Sequence, residues 1–344
     1  MTGPEGERRS TPSLIGWLVL SWVALYALSL WLSGAVTQPG SPVWAWGAPS
    51  PQVLVRLGAE VPAEVELGAW QQLVTHAFLH GFLLHLVLNA WIFVGAGRLL
   101  ESVAGSARLW IVFVVSAVAG GVAHLLWGQG AVAVGASGGI FGVVGAVGAW
   151  SLFSPHPAAP GVRRSILFFL VLSLLISLLP GVGLAAHLGG LAAGAVVMLL
   201  LGPRRAQRPA GRPLRTLAWL LLGVVLAAAG VQAFGGATID REATRALLAD
   251  LDAMERQAEA LYERPDRATP GARSDLARRL EALRRAPVVE NLPGRDALRA
   301  WLDAWQPVAD GNVPDPFAFD EALASARAAW KPQEARLRRA AGLP

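Results

Sequence analysis

The chain has 344 residues, of which 54% are hydrophobic and only 15% charged, with a formal net charge of +5 and no cysteine. A charged fraction so far below that of soluble domains excludes an ordinary water-soluble protein, and the missing thiols exclude disulfides, thiolate nucleophiles and cysteine-bound zinc. Apolar runs near 20 residues recur without the short alternating segments of a barrel. The chain therefore reads as an all-α polytopic membrane protein whose excess arginine sets topology rather than forming a nucleic-acid surface.

In chain order, spans are expected at 13–33, 74–96, 107–126, 137–153, 165–181, 186–202 and 214–234. A cytoplasmic N-terminal segment, 1–12, carries Arg8 and Arg9. The apolar run after it, LIGWLVLSWVALYALSLWLSGA, resembles a signal peptide with cleavage after Ala35. It outruns the usual h-region of about 7–15 residues, so a retained first span is expected. Residues 35–73 are too long for a simple connector and hold Trp44, Trp46 and Trp70, either as interfacial anchors or in a loop half-sunk in the interface. The fourth span, 137–153, is short and rich in glycine.

Arginines orient the bundle. Arg8 and Arg9, Arg98 and Arg108, Arg163 and Arg164, and the linker 203–213 with its PRRAQRPAGRP all fall on one side of these spans. The alternate connections carry almost none, so the N-terminus is placed in the cytoplasm. Seven spans put the C-terminal tail outside; if 214–234 stops short of a full span, the tail stays in the cytoplasm. The arginine-heavy, lysine-poor composition suggests a GC-rich bacterium and hence a cytoplasmic (inner) membrane.

From about 238 the pattern changes. Leu247, Leu251, Met254, Ala258 and Leu261 recur at intervals of three and four with charged residues between them, and similar segments follow after Pro and Gly breaks. A small soluble helical domain is expected over 238–344, without a catalytic constellation, though it offers a surface for a protein partner.

The chemistry sits among the apolar spans. Of the six histidines, His156 lies in a connecting loop and His124 near the end of the third span, where packing explains it. His76, His80, His85 and His187 lie in or beside apolar segments, as does Ser137 in GASGGIFG. Burying an unpartnered imidazole is costly, so such residues point to function. On a continuous second span His85 would lie roughly 13 Å below His76, at ~1.5 Å per residue, with Asn89 one turn further on the same face. Ser137, His187, His85 and Asn89 then converge in the outer half of the bundle. No Asp or Glu falls inside a span interior, and Glu101 lies at the inner end of the second. A serine nucleophile here has only a histidine to work with, a Ser–His dyad. Gly138, Gly142 and Ala146, together with Gly190 and Gly194, repeat at four and allow the close helix approach a hydroxyl and an imidazole need. His76 and His80 have a spacing that can hold a metal, but with no HExxH, acid or thiol beside them no metal or cofactor is expected. A proton-coupled transporter would call for intramembrane acids or broken helices in repeated halves, and neither is seen.

These residues resemble the rhomboid family of intramembrane serine proteases over roughly 13–202, a six-span core to which some members add a seventh span. THAFLHGFLLHLVLN matches the family's second-span pattern, GASG its G-x-S-G nucleophile motif around Gly135 and Gly138, and AHLGGLAAG its histidine span. The resemblance implies Ser137 as nucleophile and His187 as base and then acid. It implies His85, Asn89 and the Ser137 backbone N–H as the oxyanion hole. Glu101 is structural in it, and His76 and His80 orient and pack the first long loop. Phe141 stands where members commonly have a tyrosine stacked on the histidine, and supplies the stack without the hydroxyl. Gln71 and Gln72 stand where many members have Trp-Arg, with Trp70 displaced by one. The implied substrates are single-span membrane proteins, cut near the outer end of a helix weakened by small or helix-breaking residues, with entry beside the second and fifth spans. The alternative is a catalytically silent rhomboid-like scaffold that binds membrane clients; silent relatives typically lack the serine or the histidine.

Overall fold

Nineteen consecutive apolar or hydroxyl-bearing residues give the first helix no polar face, so what orients it is a buried stripe. In helix α1 (Leu14–Leu32) Ile15, Leu18, Trp22, Tyr26 and Ser29 are buried at helical spacing, while Trp17 and Trp31 stay exposed. The structure, a computed structural model, describes residues 14–34, 47–128, 132–178, 182–203, 210–234, 241–267, 269, 271–290, 292, 294–313, 315–341 and 343. Trp44 and Trp46 lie outside the described residues.

Three short helices follow: α2 (Pro51–Leu57), capped by the Ser50 hydroxyl, α3 (Pro62–Glu66) and α4 (Gln72–Thr75). A 3-10 turn then spans His76–Phe78. The bundle continues with α5 (Leu83–Ala104), α6 (Ser106–Trp127), α7 (Ser137–Phe153), α8 (Ala159–Ile176), α9 (Leu184–Leu201) and α10 (Arg212–Phe234). By length and composition, α1, α5, α6, α9 and α10 can cross a membrane; α7 is apolar but has 17 residues. Helix α8 carries Arg163 and Arg164 near its start and is apolar from Ile166 onward. Trp91, Trp127, Phe168, Leu200 and Trp219 are all at least 70% exposed, an apolar surface that suits lipid and not water.

Two helix starts differ by six residues or more from those expected, and α5 runs on to Ala104 rather than 96 while α8 ends at Ile176 rather than 181. The second span begins at Leu83 rather than 74: Leu79 is extended (φ −102°, ψ 155°) and so is Phe82 (φ −165°, ψ 162°), which ends the His76 turn before α5 starts. The rise expected between His76 and His85 on one continuous helix does not apply. Helix α8 begins at Ala159 rather than 165 because Pro160 sits in its first turn, where its fixed φ and missing N–H are favourable.

Helices α6, α7 and α9 form the centre. Here the backbones touch. A β-carbon at Gly190 would collide with the carbonyl oxygen of Gly138, one at Gly194 with that of Gly142, and one at Gly145 with that of Leu191. A β-carbon at Gly120 would come 2.9 Å from the Ala186 carbonyl oxygen. Trp22 is fully buried against His80, Phe93 and Phe113, which holds α1 to the bundle.

A second compact unit comprises 66–69 and 238–344. It contains α11 (Arg241–Glu263), α12 (Ala272–Arg285), α13 (Pro287–Glu290), α14 (Arg295–Ala304), α15 (Gln306–Asp310) and α16 (Pro316–Ala341). Leu247, Leu251, Met254, Ala258 and Leu261 line the buried face of α11, and Trp301, Trp305 and Trp330 complete the core. Lys331 joins Glu255 at 3.0 Å and Glu334 at 2.9 Å, while Arg338 bridges Asp252 and Glu334.

The interhelix glycines make a sharp prediction. Gly194→Ala should destabilise the bundle by about 1–3 kcal/mol or more, since backbone cannot yield as a flexible side chain can. Gly148→Ala on the facing α7, whose added β-carbon meets only Ile166 at 3.7 Å, should be neutral. Thermal unfolding in detergent micelles checks the pair; equal melting temperatures would disprove the backbone contact.

Candidate active site

The strand of chain leading into α7 is held from both sides. Glu60 and Ala133 exchange two backbone hydrogen bonds of 2.9 Å, and the Gly135 N–H donates to the His76 carbonyl at 3.0 Å. Gly135 has φ +131°, a conformation that L side chains rarely adopt. A β-carbon there would also lie 2.7 Å from His85 Cε1, 2.8 Å from its Nε2 and 3.6 Å from Asn89 Nδ2. His85 and Asn89, one turn apart on α5, thus face the backbone two residues before Ser137. Asn89 is buried, and its Nδ2 has no hydrogen-bond partner among the described residues.

Ser137 occupies the first position of α7. Its N–H is one of the four at a helix start that lack an intrahelical acceptor, at the positive end of the helix dipole. Phe141 follows one turn later on the same face and stacks on His187, with ring centroids 4.2 Å apart and planes 8° apart. The face of α7 that carries Ser137 is therefore the face that meets the start of α9. His187 is buried, and its Nδ1 lies 2.7 Å from the Ser177 hydroxyl at the end of α8.

The other residues singled out in the sequence divide clearly. Gly138, Gly190 and Gly194 form the α7–α9 contact. His80 is buried with its ring 5.2 Å from His85 and 5.7 Å from Trp22. His76 is buried with its Nδ1 2.9 Å from the Gln72 carbonyl. Glu101 accepts a 2.6 Å hydrogen bond from Ser106 across the α5–α6 turn, sixteen residues or roughly 24 Å along the helix from His85. The structure does not bring Glu101 to the site.

Sequence reasoning missed Ser177, and it missed how the first loop is braced. Gln72 accepts from the Val61 N–H at 2.9 Å and donates to Glu64 at 2.7 Å. Gln71 donates to Gln232 of α10 at 3.1 Å, and Gln232 donates to the Arg56 carbonyl at 3.0 Å. Two adjacent amides in an apolar stretch were the available signal, because buried amides require partners.

The brace also holds an acid. Glu60 is fully buried, with Oε2 3.8 Å from His76 Nδ1. Burial pushes its pKa up to about 8 and that of His76 down to about 4. Both groups precede α5 and both are neutral at pH 7. The signs follow from proton counts. Between about 4.5 and 8 the folded chain keeps a Glu60 proton that the unfolded chain has lost, so stability falls as pH rises. Between about 4 and 6.5 the unfolded chain gains a His76 proton that the folded chain refuses, so stability falls as pH drops. Relative to Glu60→Gln, the stability of the wild-type chain should fall from pH 6.5 to 8 by at most about 1.4 kcal/mol per pH unit, read as a growing deficit in melting temperature. An unchanged slope in the variant would show that Glu60 ionises freely in the fold.

A serine thus opens one glycine-faced helix, and a histidine near the start of its neighbour stacks on the serine's own face. Residues 67–204 match the Rhomboid domain. The chain is 33% identical over 165 residues to RHOMBOID-like protein 6, mitochondrial, of Arabidopsis thaliana, covering 45% of this chain and 52% of that one. It is 34% identical over 165 residues to RHOMBOID-like protein 5 of the same plant, with the same coverage. It is 26% identical over 179 residues to Rhomboid protease GluP of Bacillus subtilis, covering 52% of this chain and 35% of that one. Over this domain the chain is similar to rhomboid proteins of plants and bacteria. It spans about half the length of the plant relatives it matches.

Proposed function

We propose that this chain is an intramembrane serine endopeptidase, with Ser137 as nucleophile and His187 as general base. The observation that carries the reading is the stack of Phe141 on His187, which turns the Ser137 face of α7 toward the imidazole. Ser137 Oγ attacks the carbonyl carbon of a peptide bond as its proton passes to His187 Nε2. The protonated histidine then gives that proton to the leaving amine, and water, deprotonated by the same nitrogen, clears the ester. The developing oxyanion is taken by the Ser137 N–H with Asn89 Nδ2 and His85, donors aimed at the loop beside the nucleophile. The donor on Asn89 with no protein partner supports that role.

The placement proposed for the chain is an inner bacterial membrane with the N-terminus in the cytoplasm, seven spans, and the site open to the outer side. The arginine distribution supports that orientation. A core of 13–202, a basic linker, a seventh span at 214–234 and a tail domain at 238–344 free to bind a protein partner complete the proposed organisation. A helix inside a membrane has its carbonyls already bonded, so the substrate proposed is a single-span protein whose helix unwinds cheaply near its outer end.

Ser137→Ala should abolish cleavage of a single-span substrate in proteoliposomes while leaving the melting temperature unchanged, and should abolish labelling by a fluorophosphonate. Cleavage by the alanine variant would end the proposal in favour of another nucleophile, and a wild-type chain that neither cleaves nor is labelled would favour a silent scaffold. His85→Ala and Asn89→Ala should each lower kcat roughly 10²–10³-fold, the cost of about 2.7–4 kcal/mol for one lost oxyanion donor. Rates equal to wild type would remove these two residues from the oxyanion hole.

A further inference from the structure

His187 has two ring nitrogens, and a general base needs the one facing the nucleophile free of its proton. The contact on the other nitrogen decides this. Ser177 Oγ lies 2.7 Å from His187 Nδ1 and also 2.7 Å from the carbonyl oxygen of Ser173. A carbonyl only accepts, and a serine hydroxyl has one proton to give. With that proton on the Ser173 carbonyl, the lone pair of Ser177 Oγ accepts from His187, so Nδ1 carries the hydrogen and Nε2 is bare. Ser177 is buried, which protects this bond from exchange with water.

We propose that Ser177 is a positioning residue for the reaction: its hydroxyl, oriented by the Ser173 carbonyl, selects the His187 tautomer whose Nε2 accepts the Ser137 proton. It fills the place a carboxylate holds in a catalytic triad, with a neutral acceptor instead. Phe141 fixes the plane of the ring and Ser177 fixes its rotation within that plane, so two contacts determine both the orientation and the protonation of the base. During the reaction the same hydroxyl keeps accepting from Nδ1–H while His187 is doubly protonated, and no proton moves to Ser177. The proposal rests on the reading of Ser137 and His187 as nucleophile and base.

The test separates the two claims. The nitrogen-15 spectrum of histidine-labelled protein, taken on the inactive Ser137→Ala variant, reports the His187 tautomer without any appeal to catalysis. The Nδ1–H form is expected, and adding Ser177→Ala should shift it toward a mixture of tautomers. In the active chain Ser177→Ala should lower kcat about tenfold with KM little changed, as the loss of one neutral hydrogen bond implies. Ser177→Thr, which keeps the hydroxyl, should restore both the tautomer and most of the rate. A histidine in the Nε2–H form, or a rate loss in Ser177→Ala with the tautomer and melting temperature unmoved, would overturn the assignment. If the tautomer responds as stated but Ser137→Ala remains active, the contact stands and the nucleophile reading falls.

Discussion

The site depends on helices touching through bare backbone. Where Gly190 meets Gly138 and Gly194 meets Gly142, no side chain separates α9 from α7. In a membrane the usual hydrophobic drive between helices is absent, so close packing and the dispersion it recovers must do the work. This contact also fixes a distance. A seam one side chain wider would carry the start of α9 away from α7, and the Phe141–His187 stack could not form. The seam is a chain of carbonyl oxygens against α-carbons, which leaves it little freedom to adjust.

A second constraint comes from the segment between α1 and α5. Several of its buried polar groups satisfy one another in a relay of short bonds: Thr75 donates to the Gly58 carbonyl, Gln72 links Val61 to Glu64, and Gln71 reaches α10. The Glu60–Ala133 pair and the Gly135–His76 bond extend that relay to the loop that presents Ser137. Ser137 is thereby positioned by α7 from one side and by the first loop from the other. Glu60 is the costly member. Its backbone does the bracing while its carboxyl is carried neutral into the interior, resting with His76 against Gly121.

How much of this was legible depends on which physical signal each residue left. The span 137–153 was readable to the residue, because a serine among glycines opens it and SPHP closes it. The start of α5 was not. AFLHGFLL is apolar but for His80, so hydropathy runs across a break that only Gly81 hints at, where His80 packs on Trp22. Phe141 on His187 was anticipated from position in the resembling pattern. Ser177 was not anticipated. Within α8 and its end, Ser165, Ser173 and Ser177 look alike in the sequence, and only the approach of α9 singles one out. Partner identity across helices is a tertiary property, and local spacing carries no trace of it.

The absence of an acid from the span interiors and the hydroxyl on His187 are two aspects of one solution. A carboxylate at Ser177's place would hold the imidazole more strongly, and would stabilise the charged imidazolium better during turnover. It would also have to remain ionised in an apolar interior, where desolvation is a cost of several kcal/mol, order of magnitude, before any attraction is counted. A hydroxyl gives up most of that attraction and avoids most of that cost. What it keeps is direction, since an acceptor bound to a helix carbonyl cannot rotate away. In a site set among lipid-facing helices, neutral contacts of this kind let the proposed base remain in the interior uncharged until the moment it takes a proton.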